Sequence, residues 1–246
     1  MTIVPRWEWR TFGERFPRAE ERFAALSPES VRESDELYLL STAADDPVKV
    51  RDELLDVKHL EQVNDDGLEQ WRPVLKAPFP LPAAAVDSTL TALHASAPRR
   101  GRSAYMLEEL IEEVVRPSEQ LVAVPVHKRR AHYTVSGCMA ELTDVLTDNG
   151  STRTIAVESE DAARVLAAVR ELGLDTRSNV SYPRGLKALL GIGAHRYAAI
   201  DVGTNSVKFH IGERSADGGW RAVVDRAEIT RLGEGLAETG VLNPGP

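Results

Sequence analysis

A single cysteine, Cys138, occurs in the 246 residues. One thiol cannot close an internal disulfide and offers no cysteine-based metal site; it fits a reducing compartment, as a small core residue. No apolar run approaches the roughly eighteen residues that span a bilayer. The N-terminal stretch, with Arg6, Glu8 and Arg10, lacks the apolar region of a signal peptide. A soluble cytoplasmic protein with no membrane partner is expected. Basic charge is also in deficit, since 30 Lys and Arg stand against 38 Asp and Glu for a formal charge of -8. General nucleic-acid binding over the surface is thereby excluded, and any anion site must be a local concentration of bases. His59, His94, His127 and His132 are scattered without metal-ligand spacing, which makes them structural or solvent-exposed.

What is present suits one large domain, or one domain and a fragment, with 42% hydrophobic residues to build a core. The most informative stretch is Val122 to Glu160, which reads as three consecutive strands. Val122, Val124 and Val126 give way on one period-2 face to Lys128, Arg130 and His132. Cys138 to Leu146 places Glu141 and Thr143 on one face and Leu142 and Asp144 on the other. After the Asn149-Gly150 turn signal, Thr154, Ala156, Glu158 and Glu160 share a face, with Ile155 and Val157 opposite. Alternating charge on a single strand is what a solvated sheet face shows. Here the pattern recurs: Arg6, Glu8 and Arg10 alternate with Trp7 and Trp9, Lys49 and Arg51 with Val48 and Val50, and Asp56 and Lys58 with Leu55 and Val57. Recurrence suits a barrel with a polar lumen and a covered apolar exterior. Basic and acidic faces turned inward together would enclose a polyanion chelated to magnesium or manganese.

In chain order, a strand covers Ile3 to Phe12 and a helix Ala19 to Leu26, after Pro17. Glu36 to Ser41 and Val48 to Arg51 read as a strand pair, and Leu54 to Val63 with Leu68 to Lys76 as a hairpin across Asn64-Asp65-Asp66-Gly67. Ala83 to Ala97 is helical in composition, and Arg99, Arg100 and Arg102 form a basic loop that is more in keeping with a solvated connection than with a phosphate-facing lid. Met106 to Val115 mixes helical spacing with a β-branched end, and periodicity does not decide between helix and strand. Asp161 to Leu172 is an amphipathic helix stopped by Gly173. Ser181-Tyr182, a cap and a packed ring, precedes a last helix from Arg184 to Leu190.

This order of basic and acidic strands, ending in a helix pair with Ser181-Tyr182 before the last helix, resembles the CYTH family of triphosphate tunnel enzymes over residues 1 to 192. The resemblance implies an α+β fold, an eight-stranded antiparallel tunnel with flanking helices. It implies that Glu8 is the second glutamate of a Glu-x-Glu-x-Lys strand and Arg10 its lysine. Lys49, Arg51, Lys58, Lys128 and Arg130 are then lumen bases, and Glu158 and Glu160 are late acidic residues. Glu141 or Asp144 fills an acidic place between them. The resemblance further implies that magnesium or manganese is held by Glu8, Glu141, Glu158 and Glu160, and that Glu8, Glu158 and Glu160 are the catalytic set. Two positions depart from the pattern. Arg6 stands where the first glutamate belongs, and Ala156 where the late strand is often acidic. Losing an anionic oxygen and gaining a cation implies weaker divalent binding.

A second pattern starts after Gly191-Ile192-Gly193. Tyr197 to Ile200 reads as a short strand, Asp201-Val202-Gly203-Thr204-Asn205-Ser206 as a loop, and Val207 to Gly212 as a returning strand. Arg231-Leu232-Gly233-Glu234-Gly235-Leu236 follows. A glycine lets backbone approach a phosphate, and Thr204, Asn205 and Ser206 are short donors. Residues 196 to 246 resemble the opening of the exopolyphosphatase and guanosine pentaphosphate phosphatase family, of actin-like, ribonuclease H-like fold. That resemblance implies that Asp201, Gly203, Thr204, Asn205 and Ser206 face a phosphate, with Arg231 as a charge partner. Fifty-one residues cannot build a whole lobe of such a domain, so an incomplete β segment with exposed edges is expected, without exopolyphosphatase activity of its own. Together the two patterns imply a tunnel that binds polyphosphate or another triphosphate-containing small molecule, within a polyphosphate-hydrolysing fusion. The alternatives are a metal-dependent triphosphatase and a non-catalytic sensor of phosphate chains or nucleotides.

Overall fold

A computed structural model describes residues 5–96, 101–193, 195–214 and 220–241. The chain divides into two units, Met1–Leu190 and Gly191–Pro246. The first begins with β1 (Trp7–Gly13), whose Trp7 and Trp9 alternate with Glu8 and Arg10, and α1 (Pro17–Ala24), started by Pro17 in the first turn where its missing N–H costs nothing. Four strands follow: β2 (Ser30–Ser41), β3 (Val48–Arg51), β4 (Leu54–Val63) and β5 (Glu69–Pro78). The β4–β5 connection is closed by Asn64, whose Oδ1 accepts from the Leu68 backbone N–H at 2.8 Å, and by Gly67 at φ +76. A two-strand clip, β6 (Leu81–Pro82) with β7 (Ala104–Tyr105), flanks α2 (Ala83–Ala92). Three long strands then complete the sheet: β8 (Leu121–Val135), β9 (Cys138–Thr147) and β10 (Gly150–Ser159). They are joined by two-residue turns, Ser136-Gly137 with both φ positive and Asp148-Asn149 ahead of Gly150.

These strands form a closed antiparallel barrel in the order β1-β10-β9-β8-β2-β3-β4-β5. The fold is thus an eight-stranded antiparallel tunnel with flanking helices. Its apolar core lies outside the barrel. One cluster packs Trp9, Tyr133, Ile155 and Val157 of the strands against Phe23 of α1 and against Val165 and Val169 of α4 (Ala162–Glu171). The other packs Leu39, Val48, Val50, Leu55 and Val57 under Val86 of α2 and Leu110, Val114 and Val115. With both apolar faces covered from outside, the opposite face of every strand is free to carry charge inward.

Closure between β1 and β5 is brief, since only Trp7 with Gln70 and Glu8 with Glu69 are paired. Beyond that point the edge of β1 is satisfied by Asn179 and Val180. The Arg10 N–H donates to Asn179 Oδ1 at 2.7 Å, and the Val180 N–H donates to the Arg10 carbonyl at 2.7 Å. The chain then enters α5 (Tyr182–Leu190), which packs on β1 through Phe12 and Tyr182, rings at 5.4 Å and 75°.

Several boundaries differ from expectation. β2 begins at Ser30 rather than Glu36, because its first half pairs with β8 across Ser30–His132 to Asp35–His127, a contact between segments far apart in the chain. α2 ends at Ala92 instead of Ala97, with His94 at φ +48 breaking the helical path. Met106 to Val115 is helical: α3 (Leu107–Leu110) continues into a π-helical turn, in which the Arg116 N–H reaches the Ile111 carbonyl at 2.8 Å. Arg99 and Arg100 lie outside the described residues, and Arg102 is paired with Glu109 and Glu113. Ser181 Oγ makes no cap, being buried without a partner among the described residues. No helix among the described residues is long and apolar enough to cross a membrane.

The second unit is a three-stranded antiparallel sheet in the order β11-β12-β13, from β11 (His195–Val202), β12 (Ser206–Arg214) and β13 (Trp220–Ile229), followed by α6 (Leu236–Thr239). The third strand had no sequence expectation. The loop at Gly203–Asn205 is held against residues 230–233. The Gly233 N–H donates to the Thr204 carbonyl at 2.7 Å, and a Cβ on Gly233 would come within 2.5 Å of Thr204 Cβ.

The seat of α5 gives a direct test of packing. A Cβ on Gly185 would lie 2.2 Å from the Phe12 ring. Gly185→Ala is expected to lower stability by about 1–3 kcal/mol, the usual cost of overpacking, as a lower urea midpoint with unchanged slope.

Candidate functional site

The inward faces of the barrel enclose a cavity of about 250 Å³. β1 contributes Glu8 and Arg10, β2 Tyr38, β3 Lys49 and Arg51, and β4 Asp56 and Lys58. Trp71 comes from β5, Lys128 and Arg130 from β8, Glu141 from β9, Glu158 from β10 and Tyr182 from α5. The strand positions among these share their strand's inward period-2 register, so one-residue slippage would exchange them for the apolar face.

The charges are segregated. On the β2, β3 and β8 side a single carboxylate, Glu36, has a side chain with no solvent exposure and gathers four cations. Lys128 Nζ donates to Oε2 at 2.8 Å and Lys49 Nζ to the same oxygen at 3.3 Å. Arg130 Nη2 donates to Oε1 at 2.8 Å and Arg51 Nη1 to it at 3.5 Å. Burial alone would raise the Glu36 pKa, but Lys128, Lys49 and Arg130 hold it far below the ordinary carboxylate range. Lys128 also donates to the Tyr38 hydroxyl at 2.7 Å, and its ammonium lies 3.7 Å from the centroid of the Tyr182 ring. Tyr38 and Tyr182 are stacked, centroids 5.1 Å apart. Burial lowers the Lys128 pKa well below the usual lysine range, with Lys49 and Arg130 adding to it against the pull of Glu36. Burial likewise lowers Lys49. Two lysines and two arginines around one carboxylate make this the basic half of the lumen.

The β1, β9 and β10 side has the opposite balance. Glu8 and Glu158 are direct cross-strand partners, and Arg10, Ala156 and Glu141 form the next row. Arg10 Nε donates to Glu8 Oε1 at 2.9 Å, and its Nη1 lies 3.6 Å from Glu141 Oε1. The Arg10 guanidinium is buried, which by itself lowers its pKa, yet Glu8 and Glu141 more than offset this. Glu141 is held down by Arg10 and by the Thr143 hydroxyl at 2.6 Å, although burial opposes both. Glu158 is different: burial and the facing Glu8 raise its pKa.

Among the described residues, no three His, Cys, Asp or Glu groups form a ready-made metal cage. Glu8 and Glu158 still offer hard oxygens side by side. That donor set fits magnesium, which keeps most of its water and is commonly held by one or two carboxylates together with a substrate phosphate.

Of the tunnel residues inferred from sequence, Glu8, Arg10, Lys49, Arg51, Lys58, Lys128, Arg130, Glu141 and Glu158 line the one cavity. Glu160 does not. β10 ends at Ser159, and Glu160 is exposed at the bend before the Asp161 cap of α4. Asp144, the alternative to Glu141, lies on the outer face with Arg153 and Arg129. Arg6 precedes β1, is exposed and is not a lining residue, so its cation is not placed among the carboxylates. Glu36, Tyr38, Trp71 and Tyr182 were missed as site residues. For Glu36 and Tyr38 a signal existed, since Arg32, Ser34, Glu36 and Tyr38 continue one alternation opposite Leu37 and Leu39. In the second unit Asp201, Thr204 and Asn205 are exposed, Gly203 and Ser206 half-buried, and Arg231 is exposed at φ +46, its N–H donating to the Asn205 carbonyl at 3.1 Å.

No protein-family model matches the chain, and no curated protein matches it. Among solved structures, a candidate adenylyl cyclase from Hippeastrum, described as having a dominant triphosphatase activity, is 15% identical with a TM-score of 0.38, over 69% of this chain and 88% of that one. A protein from Pyrococcus horikoshii OT3 is 16% identical with a TM-score of 0.39, over 72% and 94%. A candidate adenylate cyclase from Bacillus halodurans is 11% identical with a TM-score of 0.37, over 72% and 94%.

The Glu8–Glu158 pair has a consequence for stability. A carboxyl whose folded pKa is raised weakens the fold as pH rises from its unfolded value, about 4.3, through its folded value. Glu158→Gln removes that dependence. The difference in Tm between Glu158→Gln and the unchanged protein is expected to be more favourable to the variant at pH 7 than at pH 4.

Proposed function

We propose that the lumen binds the phosphate chain of a triphosphate or of inorganic polyphosphate, with magnesium or manganese carried on the chain. The observation that supports it most is the segregation of charge inside one cavity, Lys49, Arg51, Lys128 and Arg130 against Glu36 on one side, and Glu8, Glu141 and Glu158 against Arg10 on the other. A phosphate chain needs converging cations for its oxygens. Arg130 and Tyr182, which line the same cavity, each also hold a buried polar atom, Nε and the hydroxyl, without a hydrogen-bond partner among the described residues. Phosphates then lie on the β2, β3 and β8 side, with Glu8 and Glu158 turned toward a chain-bound cation. Magnesium or manganese there would screen the phosphate oxygens and make a phosphorus more open to water.

A second reading, hydrolysis of the terminal phosphoanhydride, is favoured by Glu158. Its pKa is raised by burial and by Glu8 against the weaker pull of Arg10 and Lys58, so it is suited to accept a proton from water held beside a bound chain. The polyphosphate-hydrolysing fusion belongs to this same proposal: in the second unit, taken by itself, the exposed Thr204 and Asn205 are short donors for a phosphate.

Calorimetric titration with tripolyphosphate, with and without magnesium and alongside phosphate release, tests these readings. Lys128→Met and Arg130→Ala are each expected to weaken binding about 10- to 100-fold, the loss of one or two charge-assisted hydrogen bonds, and added salt to weaken it further. Glu158→Ala should abolish metal-dependent release while leaving metal-free binding. Binding without release would leave a phosphate-chain sensor. Absence of any tripolyphosphate affinity would sink the proposal.

A further inference from the structure

The four basic side chains on one side of the lumen meet at a residue whose side chain has no access to solvent. Glu36 lies beneath Lys128, Arg130, Lys49 and Arg51 rather than among the cavity-lining groups. Its two oxygens are divided between them, Oε2 for the lysines and Oε1 for the arginines. It comes from β2, whereas the cations come from β3 on one flank and β8 on the other. Each of those strands contributes one cation to each oxygen, so the carboxylate sets the spacing between the two basic strands.

We infer that Glu36 is a positioning residue, whose carboxylate aims Lys128, with Arg130 and Lys49, at one point in the lumen before any ligand arrives. The inference rests on the phosphate-chain reading of this cavity and specifies how its basic side is prepared. Without Glu36, four cations would crowd a buried space with no anion between them. The most deeply buried, Lys128, would lose its proton most easily. Lys128 faces Glu36 and Tyr38 of β2, Lys49 and Arg51 of β3, Arg130 of its own strand and Tyr182 of α5. Glu141 of β9 and Arg10 of β1 complete its charged surroundings. Of these only Glu36 is an anion in direct contact with it. Removing that charge therefore moves the Lys128 titration downward, and neutral Lys128 no longer attracts phosphate.

The experiment uses the full chain with ¹³C-labelled lysine, the Lys128 resonance being assigned by its loss in Lys128→Met. Titration from pH 5 to pH 10 is run on the unchanged protein, Glu36→Gln and Glu36→Asp, in parallel with tripolyphosphate calorimetry at each pH. In Glu36→Gln the Lys128 midpoint is expected to fall by about one pH unit or more, as for loss of an opposite charge in contact. The alkaline limb of tripolyphosphate binding should move down with it. Glu36→Asp keeps the charge but withdraws it by one methylene, and should fall between the two; its smaller shift carries the test if Glu36→Gln does not fold. An unchanged Lys128 midpoint in the folded variant overturns the inference. So does a uniform loss of affinity at every pH with no movement of the limb, the mark of a merely structural role. If the unchanged protein binds no tripolyphosphate, the phosphate reading fails, and the resonance titration alone still decides for or against Glu36.

Discussion

The barrel is organised around the buried Glu36 carboxylate and the four cations from β3 and β8 that share it. An isolated ion in that position would be prohibitively costly, and so would four unpaired cations; each requires the other. The network joins β2 to both of its sheet neighbours through side chains as well as backbone bonds. It also brings four basic side chains together on one side of the lumen.

That arrangement is possible because the apolar core lies outside the barrel. Strands of alternating pattern must bury one face, and here α1 and α4 cover one side of the outer surface while α2 and the α3 region cover another. Had the apolar residues faced inward, they would have filled the interior, as in small barrels with a packed centre. The brief β1–β5 pairing adds a second constraint. Asn179 and Val180 complete the edge of β1 beside Arg10, and the chain they belong to carries Tyr182 into the lumen above Lys128. Closing the barrel and lining the site are thus done by one segment.

Much of the lumen was legible because inward and outward residues alternate strictly. Lys128 and Arg130 follow Val124 and Val126 on one face, and Glu8, Arg10, Lys49, Arg51 and Lys58 each sit beside an apolar neighbour of opposite parity. Parity alone extended the acidic face one step too far, to Glu160. The strand ends at Ser159 because Asp161 caps α4, its Oδ1 accepting from the Ala163 N–H at 2.9 Å. Glu36 escaped for the converse reason. It was visible as the start of a short strand, but its importance lies in partners distant in sequence, as with Lys128 and Arg130, 92 and 94 residues away. The length of β2 was hidden in the same way, since Ser30–Asp35 becomes a strand through its pairing with β8.

Sequence alone determined which face carries charge on β1, β3, β4, β8, β9 and β10, the Asn64–Gly67 turn, a turn within one residue of Asn149-Gly150, and the presence of a distinct C-terminal β segment, because these depend on local periodicity and on backbone preferences of individual residues. Only the tertiary structure decided which charges meet. Strand order placed Glu8 opposite Glu158 and set β2 between β3 and β8, so that one buried carboxylate faces four cations. Proximity across a closed barrel depends on long-range pairing and register, and no local pattern in the chain encodes it.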